Sequence, residues 1–184
     1  IWGPLSDHFG RRMPLFVGMV LFVIGSVGCA LSSDIVQIVF WRVFQALGAC
    51  TGPMLARAMI RDLYSRTRAA HMLSTLMMVM AIAPIAGPLL GGQMITVTSW
   101  HSIFWLLGII GTLMLISVFW LPETLPEEKR VQASLYGALC NYYQLLTNAK
   151  FMCFTLCLTF YYVAAYAFIT GSPFVYITYF GIDP

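Results

Sequence analysis

Charge is what this sequence has least of. Of its 184 residues 9% are charged, against 60% hydrophobic and 15% aromatic. A soluble globular domain carries about 25% charged residues, because a polar shell has to cover its core. Seven acids and ten bases cannot cover a chain of this length, and the mean hydropathy of +0.83 agrees. A soluble enzyme, a disordered tail and a nucleic-acid-binding domain are excluded, and the chain reads as an integral membrane protein. Chemistry-bearing patterns are absent too. No Gly-x-x-x-x-Gly-Lys-Ser/Thr loop is present, so ATP does not drive this chain directly. No His/Cys/Asp cluster has metal-ligand spacing, and no nucleophile–base set stands out, so the reading is not enzymatic. The five cysteines (Cys29, Cys50, Cys140, Cys153 and Cys157) follow no zinc or disulfide spacing. Cys153 and Cys157 share a helix face, where cysteine also serves as a small hydrophobe. His8, His71 and His101 stand alone near the ends of apolar runs, as interfacial anchors do. Ile1 opens the chain without an initiator Met or a signal peptide, so the sequence reads as a piece of something longer.

What is present is a set of long uncharged runs. Residues 13–33, 72–122 and 151–182 hold no Asp, Glu, Lys or Arg, and 35–56 holds only Arg42. A helix rises ~1.5 Å per residue and must cross ~30 Å of hydrocarbon, so one span needs ~20 residues. The longest run is enough for two spans, and Thr96-Val97-Thr98-Ser99-Trp100-His101 is its polar break. Five spans are expected, at 14–32, 35–59, 72–96, 102–121 and 151–178. Continuous apolar runs, rather than short alternating segments, exclude a membrane barrel.

The bases orient these spans. Arg11 and Arg12 precede the first, Arg57, Arg61, Arg66 and Arg68 separate the second from the third, and Lys129, Arg130 and Lys150 separate the fourth from the fifth. The connections near 33–34 and 96–101 have none. Nine of ten bases thus fall on one side, which the positive-inside rule makes cytoplasmic. The remaining one, Arg42, lies in a span. Between the fourth and fifth spans, Pro122 and Pro126 flank an acidic start, and Val131, Leu135, Leu139 and Tyr142/Tyr143 recur at helical spacing. That pattern predicts an amphipathic helix on the cytoplasmic face.

Three segments carry chemistry. Gly3-Pro4-Leu5-Ser6-Asp7-His8-Phe9-Gly10-Arg11-Arg12 reads as a tight turn with glycines at both ends, holding one acid and two arginines. Asp7 can face a helix N-terminus or an arginine; an ordinary basic loop is the plainer reading. Arg42 and Gln45 are three apart, on one helix face. An arginine two turns into a span costs several kcal/mol against lipid, of order ~3 on insertion scales, so it either snorkels outward or faces a cavity and a buried carboxylate. Ala81 to Gly92 packs two prolines and three glycines into a span, which bends a membrane helix and permits close packing. The last span is rich in aromatics, and Gly171-Ser172-Pro173 predicts a kink. Aromatic faces take flat apolar or cationic molecules without strict geometry, and Met77, Met78 and Met80 can adapt to varied shapes. Packing against lipid or other helices also explains such residues; Tyr161, Tyr162 and Tyr166 are the candidates for cavity contact.

These segments resemble signatures of the major facilitator superfamily. Gly3-x-Leu5-Ser6-Asp7-x-x-Gly10-Arg11-Arg12 resembles the motif between that family's second and third helices. Arg42-x-x-Gln45-Ala46-x-Gly48 resembles its fourth-helix motif, with Ala46 in place of a glycine. Gly87-Pro88-x-x-Gly91-Gly92 resembles the antiporter motif of its fifth helix, with Ala83 where glycine is usual. Leu121-Pro122-Glu123-Thr124 resembles the sixth-helix ending of drug exporters. Arg61-Asp62-Leu63-Tyr64 and Gly171-Ser172-Pro173-Phe174-Val175-Tyr176 look like the Bcr/CflA drug-resistance subfamily. Trp100-His101 departs from the more usual Trp-Arg.

The resemblance implies an all-α membrane bundle of twelve helices, of which this chain holds the third to seventh. Residues 1–122 would belong to the first six-helix half, with Ile1-Trp2 ending helix two. Residues 123–150 would link the halves, and 151–184 would open the second half. It implies that Gly3, Asp7, Gly10, Arg11 and Arg12 form a clasp between the halves in the outward-open state, with Asp7 and Arg11 its main charges. It implies a proton-coupling role for Arg42 and Gln45, and a conformational one for Gly87, Pro88, Gly91 and Gly92. The function implied is export of small hydrophobic or cationic drugs in exchange for protons across a bacterial inner membrane. No cofactor is expected beyond the proton gradient, and the carrier would be monomeric. The proton-binding acid is expected on a first helix that these 184 residues do not hold. An uptake carrier for a metabolite, or a scaffold that lost transport, are the alternatives.

Overall fold

The structure, a computed structural model, describes residues 2–130, 135–176 and 181. Among these, all regular structure is helical. The elements are α1 (Trp2–Phe9), α2 (Arg12–Ala30), α3 (Ile35–Ala49), α4 (Thr51–Leu63), α5 (Arg66–Val97), α6 (His101–Trp120), a single 3-10 turn (Glu127–Lys129), α7 (Leu135–Thr147) and α8 (Ala149–Phe174). Five stretches are long and apolar enough to cross a membrane: Arg12–Ala30, Ile35–Leu63, Arg66–Val97, His101–Trp120 and Ala149–Ser172. They match the five expected spans. The break at 96–101 also falls where the polar patch placed it.

Proline explains several helix starts. Pro4, Pro14 and Pro53 lie in the first turns of α1, α2 and α4, where no intrahelical donor is lost. The second span is consequently two helices. Pro53 has no N–H to donate to the Ala49 carbonyl, with which its ring would clash in a continuous helix, and α3 ends at Ala49. The sequence pattern did not reveal that division. Pro84 and Pro88 instead sit inside an unbroken α5. Asn148 begins α8, its side chain accepting from the amides of Lys150 (3.1 Å) and Phe151 (3.3 Å).

The first motif differs from its expected form. Residues 2–9 are helical, so helix α1 continues seven residues past Trp2, and Gly3 lies within it. The turn is confined to Gly10, whose φ is +90°. A left-handed backbone at one glycine suffices to redirect the chain into α2.

The chain forms two compact units, Ile1–Gln132 and Ala133–Pro184. In the first, α2 is the central helix and packs chiefly on α3 and α6. Its buried face is small: Gly18, Gly25, Ser26, Gly28, Cys29 and Ala30. Lipid is as apolar as leucine, so membrane helices associate through close backbone approach instead of hydrophobic burial. A Cβ on Gly25 would lie 2.5 Å from the Gln45 amide nitrogen, and one on Gly28 would strike the Trp41 ring. Cys29, Ala30 and Phe104 form the buried cluster, flanked by Trp41 and Leu107. At that end of the bundle the His101 ring nitrogen lies 3.3 Å from the Ser32 carbonyl. In the second unit α7 forms over Leu135–Thr147, within the region where an amphipathic helix is expected. Val131 lies outside the described residues, as do residues 177–178 of the expected fifth span. The helix of α8 runs through Gly171-Ser172-Pro173 and ends in a wider π-helical turn at 175–176.

Candidate functional site

Arg11 stands at the corner between α1 and α2, directly after the left-handed Gly10. Its Nη1 donates to Asp7 Oδ1 at 2.6 Å and to the Ser6 hydroxyl at 2.7 Å, and its Nε donates to Asp62 Oδ2 at 2.8 Å. The Ser6 hydroxyl in turn donates to the Gly3 carbonyl at 2.8 Å. Burial works against the Arg11 charge, but the bonds to Asp62 and then Asp7 outweigh it, and the guanidinium titrates above its ordinary value. The Arg11 side chain is 10% exposed, whereas that of Asp7 is 48% exposed. Arg11 is thus committed inside this unit, and Asp7 keeps a face open.

The end of α6 reaches the same corner. Glu123 Oε1 accepts from the backbone amides of Arg11 (2.8 Å), Thr124 (3.0 Å) and Leu125 (3.1 Å). Its Oε2 accepts from the Arg12 amide at 3.2 Å. Partial burial would raise this carboxyl, but the four amides hold it below the usual carboxylate range. Arg12 closes the corner by donating from Nη2 to the Phe119 carbonyl at 2.7 Å. Three segments far apart in sequence, after α1, at the end of α4 and after α6, therefore meet at one end of the bundle. That is the end the basic residues mark as cytoplasmic.

Arg42 lies at the middle of α3. Its Nη1 donates to Gln45 Oε1 at 3.2 Å, and its guanidinium carbon lies 4.8 Å from the centre of the Phe104 ring, a cation–π distance. Gln45 is buried and passes the connection on, donating from Nε2 to the Ser26 hydroxyl at 2.8 Å, which itself donates to the Phe22 carbonyl at 2.7 Å. Among the described residues no carboxylate pairs with Arg42.

On α5, a Cβ built on Gly87, Gly91 or Gly92 meets nothing within 4 Å. Their smallness answers no contact within the described residues. Between α2, α3, α4, α5 and α6 lies a cleft of about 410 Å3, lined by Met19, Phe22, Ala49, Gly52, Pro53, Ala56, Leu76, Met80 and Met114. Met80 lines this cleft and Met77 and Met78 do not, and all three are exposed. Tyr161, Tyr162 and Tyr166 are exposed on α8, and the Tyr162 and Tyr166 rings stack with centres 6.3 Å apart.

Comparison with known proteins decides the family. The model of the Major Facilitator Superfamily matches residues 1–184. The chain belongs to the major facilitator superfamily. The relatives of this facilitator include an uncharacterized MFS-type transporter, YdgK, of Bacillus subtilis, 37% identical over 100% of this chain and 46% of its own length. Multidrug resistance protein D of Escherichia coli is 32% identical over 85% of this chain and 39% of its own. A bicyclomycin resistance protein homolog of Haemophilus influenzae is 26% identical over 98% of this chain and 46% of its own. The facilitator chain thus spans less than half the length of the curated relatives it matches. Its five apolar helices and bacterial relatives make it a multi-pass protein of a bacterial inner membrane.

Sequence reasoning singled out Asp7, Arg11, Arg42 and Gln45, and the structure joins the members of each pair. It assigned no role to Asp62, Glu123, Ser6, Ser26 or Phe104. Asp62 and Glu123 carried one available signal: both are acids on the expected cytoplasmic side, within reach of an arginine-bearing turn. For Ser26 and Phe104 no sequence signal distinguishes them from ordinary helix residues.

Proposed function

We propose that the chain is part of a twelve-helix carrier that exports small hydrophobic or cationic drugs in exchange for protons, without enzymatic chemistry, by alternating access. What carries the proposal is a family match along the whole chain together with relatives named for multidrug and bicyclomycin resistance. The geometry supports it in five ways. The Asp7–Arg11 corner is braced from within its own unit, and Asp7 keeps an open face toward a partner half, as a clasp requires. Arg42, held by Gln45 and Phe104, is a fixed positive charge that lowers the pKa of any carboxylate brought beside it. The open glycine face of α5, at Gly87, Gly91 and Gly92, is shaped for a helix to close against it, which suits Gly87-Pro88 to a conformational role. The apolar cleft has the volume of a small-molecule site, and its methionines adapt to ligands of different shape. Tyr161, Tyr162 and Tyr166 offer aromatic faces to a cationic substrate. The working carrier is monomeric.

Direction of movement is the test. In inside-out vesicles holding the full-length carrier, a fluorescent lipophilic cation is predicted to accumulate within the lumen when an inward-acid pH gradient is imposed. Accumulation in right-side-out vesicles instead makes the protein an uptake carrier. No movement in either, with Asp7→Asn indistinguishable from the parent, makes it a scaffold.

A further inference from the structure

We propose that Glu123 is the positioning residue of the clasp: its carboxylate fixes the Gly10–Arg12 turn to the cytoplasmic end of α6. The inference rests on the clasp reading above. The first amides of a helix lack intrahelical acceptors, and a carboxylate at that end is favoured by the helix dipole. At α2 the usual solution, a side-chain acceptor at the residue before the helix, is missing, because that residue is Arg11 and makes no capping bond. The acceptor arrives from 112 residues away: Glu123 Oε1 lies 2.8 Å from the Arg11 amide and Oε2 lies 3.2 Å from the Arg12 amide.

Two further features fit this carboxylate to the turn. The glycine is required on the side that Glu123 occupies, since a Cβ on Gly10 would lie 2.6 Å from Glu123 Oε2. The Thr124 and Leu125 amides bind the same Oε1, so the carboxylate is held from both its own strand of chain and the opposite corner. Arg11 is then gripped twice, its backbone by Glu123 and its side chain by Asp7 and Asp62. The orientation of the exposed Asp7 therefore depends on a residue that never touches it. Through Glu123, the segment that follows α6 is tied directly to the clasp.

Glutamine is the informative replacement. It keeps the size and one acceptor oxygen, but presents an NH2 either to the Arg12 amide or to the three amides that now face Oε1. In full-length carrier reconstituted in vesicles, Glu123→Gln is expected to lower drug turnover about tenfold, the weight of one charge-assisted hydrogen bond, with KM unchanged because Glu123 does not line the cleft. Glu123→Asp, which keeps the charge, should recover most of the loss. Asp7→Asn should also slow turnover, and the double variant should be no slower than Asp7→Asn alone, since both act on one clasp. Parental turnover in Glu123→Gln beside a slow Asp7→Asn overturns the positioning role and leaves the clasp standing. Parental turnover in Asp7→Asn overturns the clasp and this inference with it. Losses that multiply in the double variant, or a failure of both Glu123 variants to fold, would make Glu123 a structural residue only.

Discussion

Arg11 and Arg42 are the two arginines that shape this chain, and their surroundings assign them different tasks. Arg11 has two carboxylates and a hydroxyl within hydrogen-bond distance. Arg42 has an amide and an aromatic face, so its charge is not neutralised within the unit. The Gln45–Ser26 bond holds the base of the Arg42 arrangement in a buried place. Ser26→Ala should leave the Gln45 amide short of an acceptor and cost about 1–3 kcal/mol, read as a lower unfolding midpoint in detergent. Glu123 provides a pH signature at the same scale. Its carboxyl titrates below the usual range when folded, so the charged form stabilises the fold. That contribution is complete above the ordinary glutamate value, about 4.3, and is lost as pH falls through the depressed folded value. The melting temperatures of the parent and Glu123→Gln should therefore differ at pH 7 and converge on acidification below about pH 4. A gap that persists unchanged through that range would show that the carboxylate charge is not what stabilises the corner.

At the scale of the helix, glycine has two opposite meanings in this chain. On α2 and α3 it is a packing device. Gly25→Ala would push a methyl into the Gln45 backbone, 2.5 Å from its nitrogen, and overpacking of this kind costs about 1–3 kcal/mol. Gly108→Ala would meet its nearest neighbours, Val27 and Ser26, at 3.8 and 3.9 Å, an ordinary contact. Thermal unfolding should separate the two, with Gly25→Ala lowered and Gly108→Ala near parental. On α5 the glycines face open space. Gly87→Ala should leave the melting temperature unchanged, and the proposed conformational role predicts that it still impairs transport. A melting loss as large as that of Gly25→Ala would make Gly87 a packing residue.

The spans were legible because they are written locally. Length of uncharged run decides a span, and position of arginine decides a side. The bend at Gly10 was legible in part: a glycine before two arginines signalled a turn, but Gly3 carried the same signal and is helical. The division of the second span at Ala49 followed from Pro53, whose effect within a membrane depends on whether it opens a helix, as here, or is carried inside one, as Pro84 and Pro88 are. The contacts of Glu123 and Asp62 were not legible. They join residues 112 and 51 positions apart, and no periodicity reports on partners so distant. The packing of Phe104 under Arg42 was hidden for the same reason.

For the whole molecule, the distribution of charge states the functional problem. Bases mark one face and Arg42 lies in mid-span, while the acid that any span holds, Asp62, sits at the very end of the second and is taken up by Arg11. The proposed carrier, driven by protons, needs an embedded group that binds and releases one, and in that proposal Arg42 tunes such a carboxylate rather than replacing it. In the proposed twelve-helix carrier that carboxylate lies outside these 184 residues, and two halves rock about a central site. The most direct measurement of this account is drug efflux by the full-length carrier in vesicles, followed while the pH gradient is collapsed by an ionophore that spares the electrical potential. Proton exchange predicts that efflux stops as the gradient disappears. Efflux that continues at its original rate would contradict it.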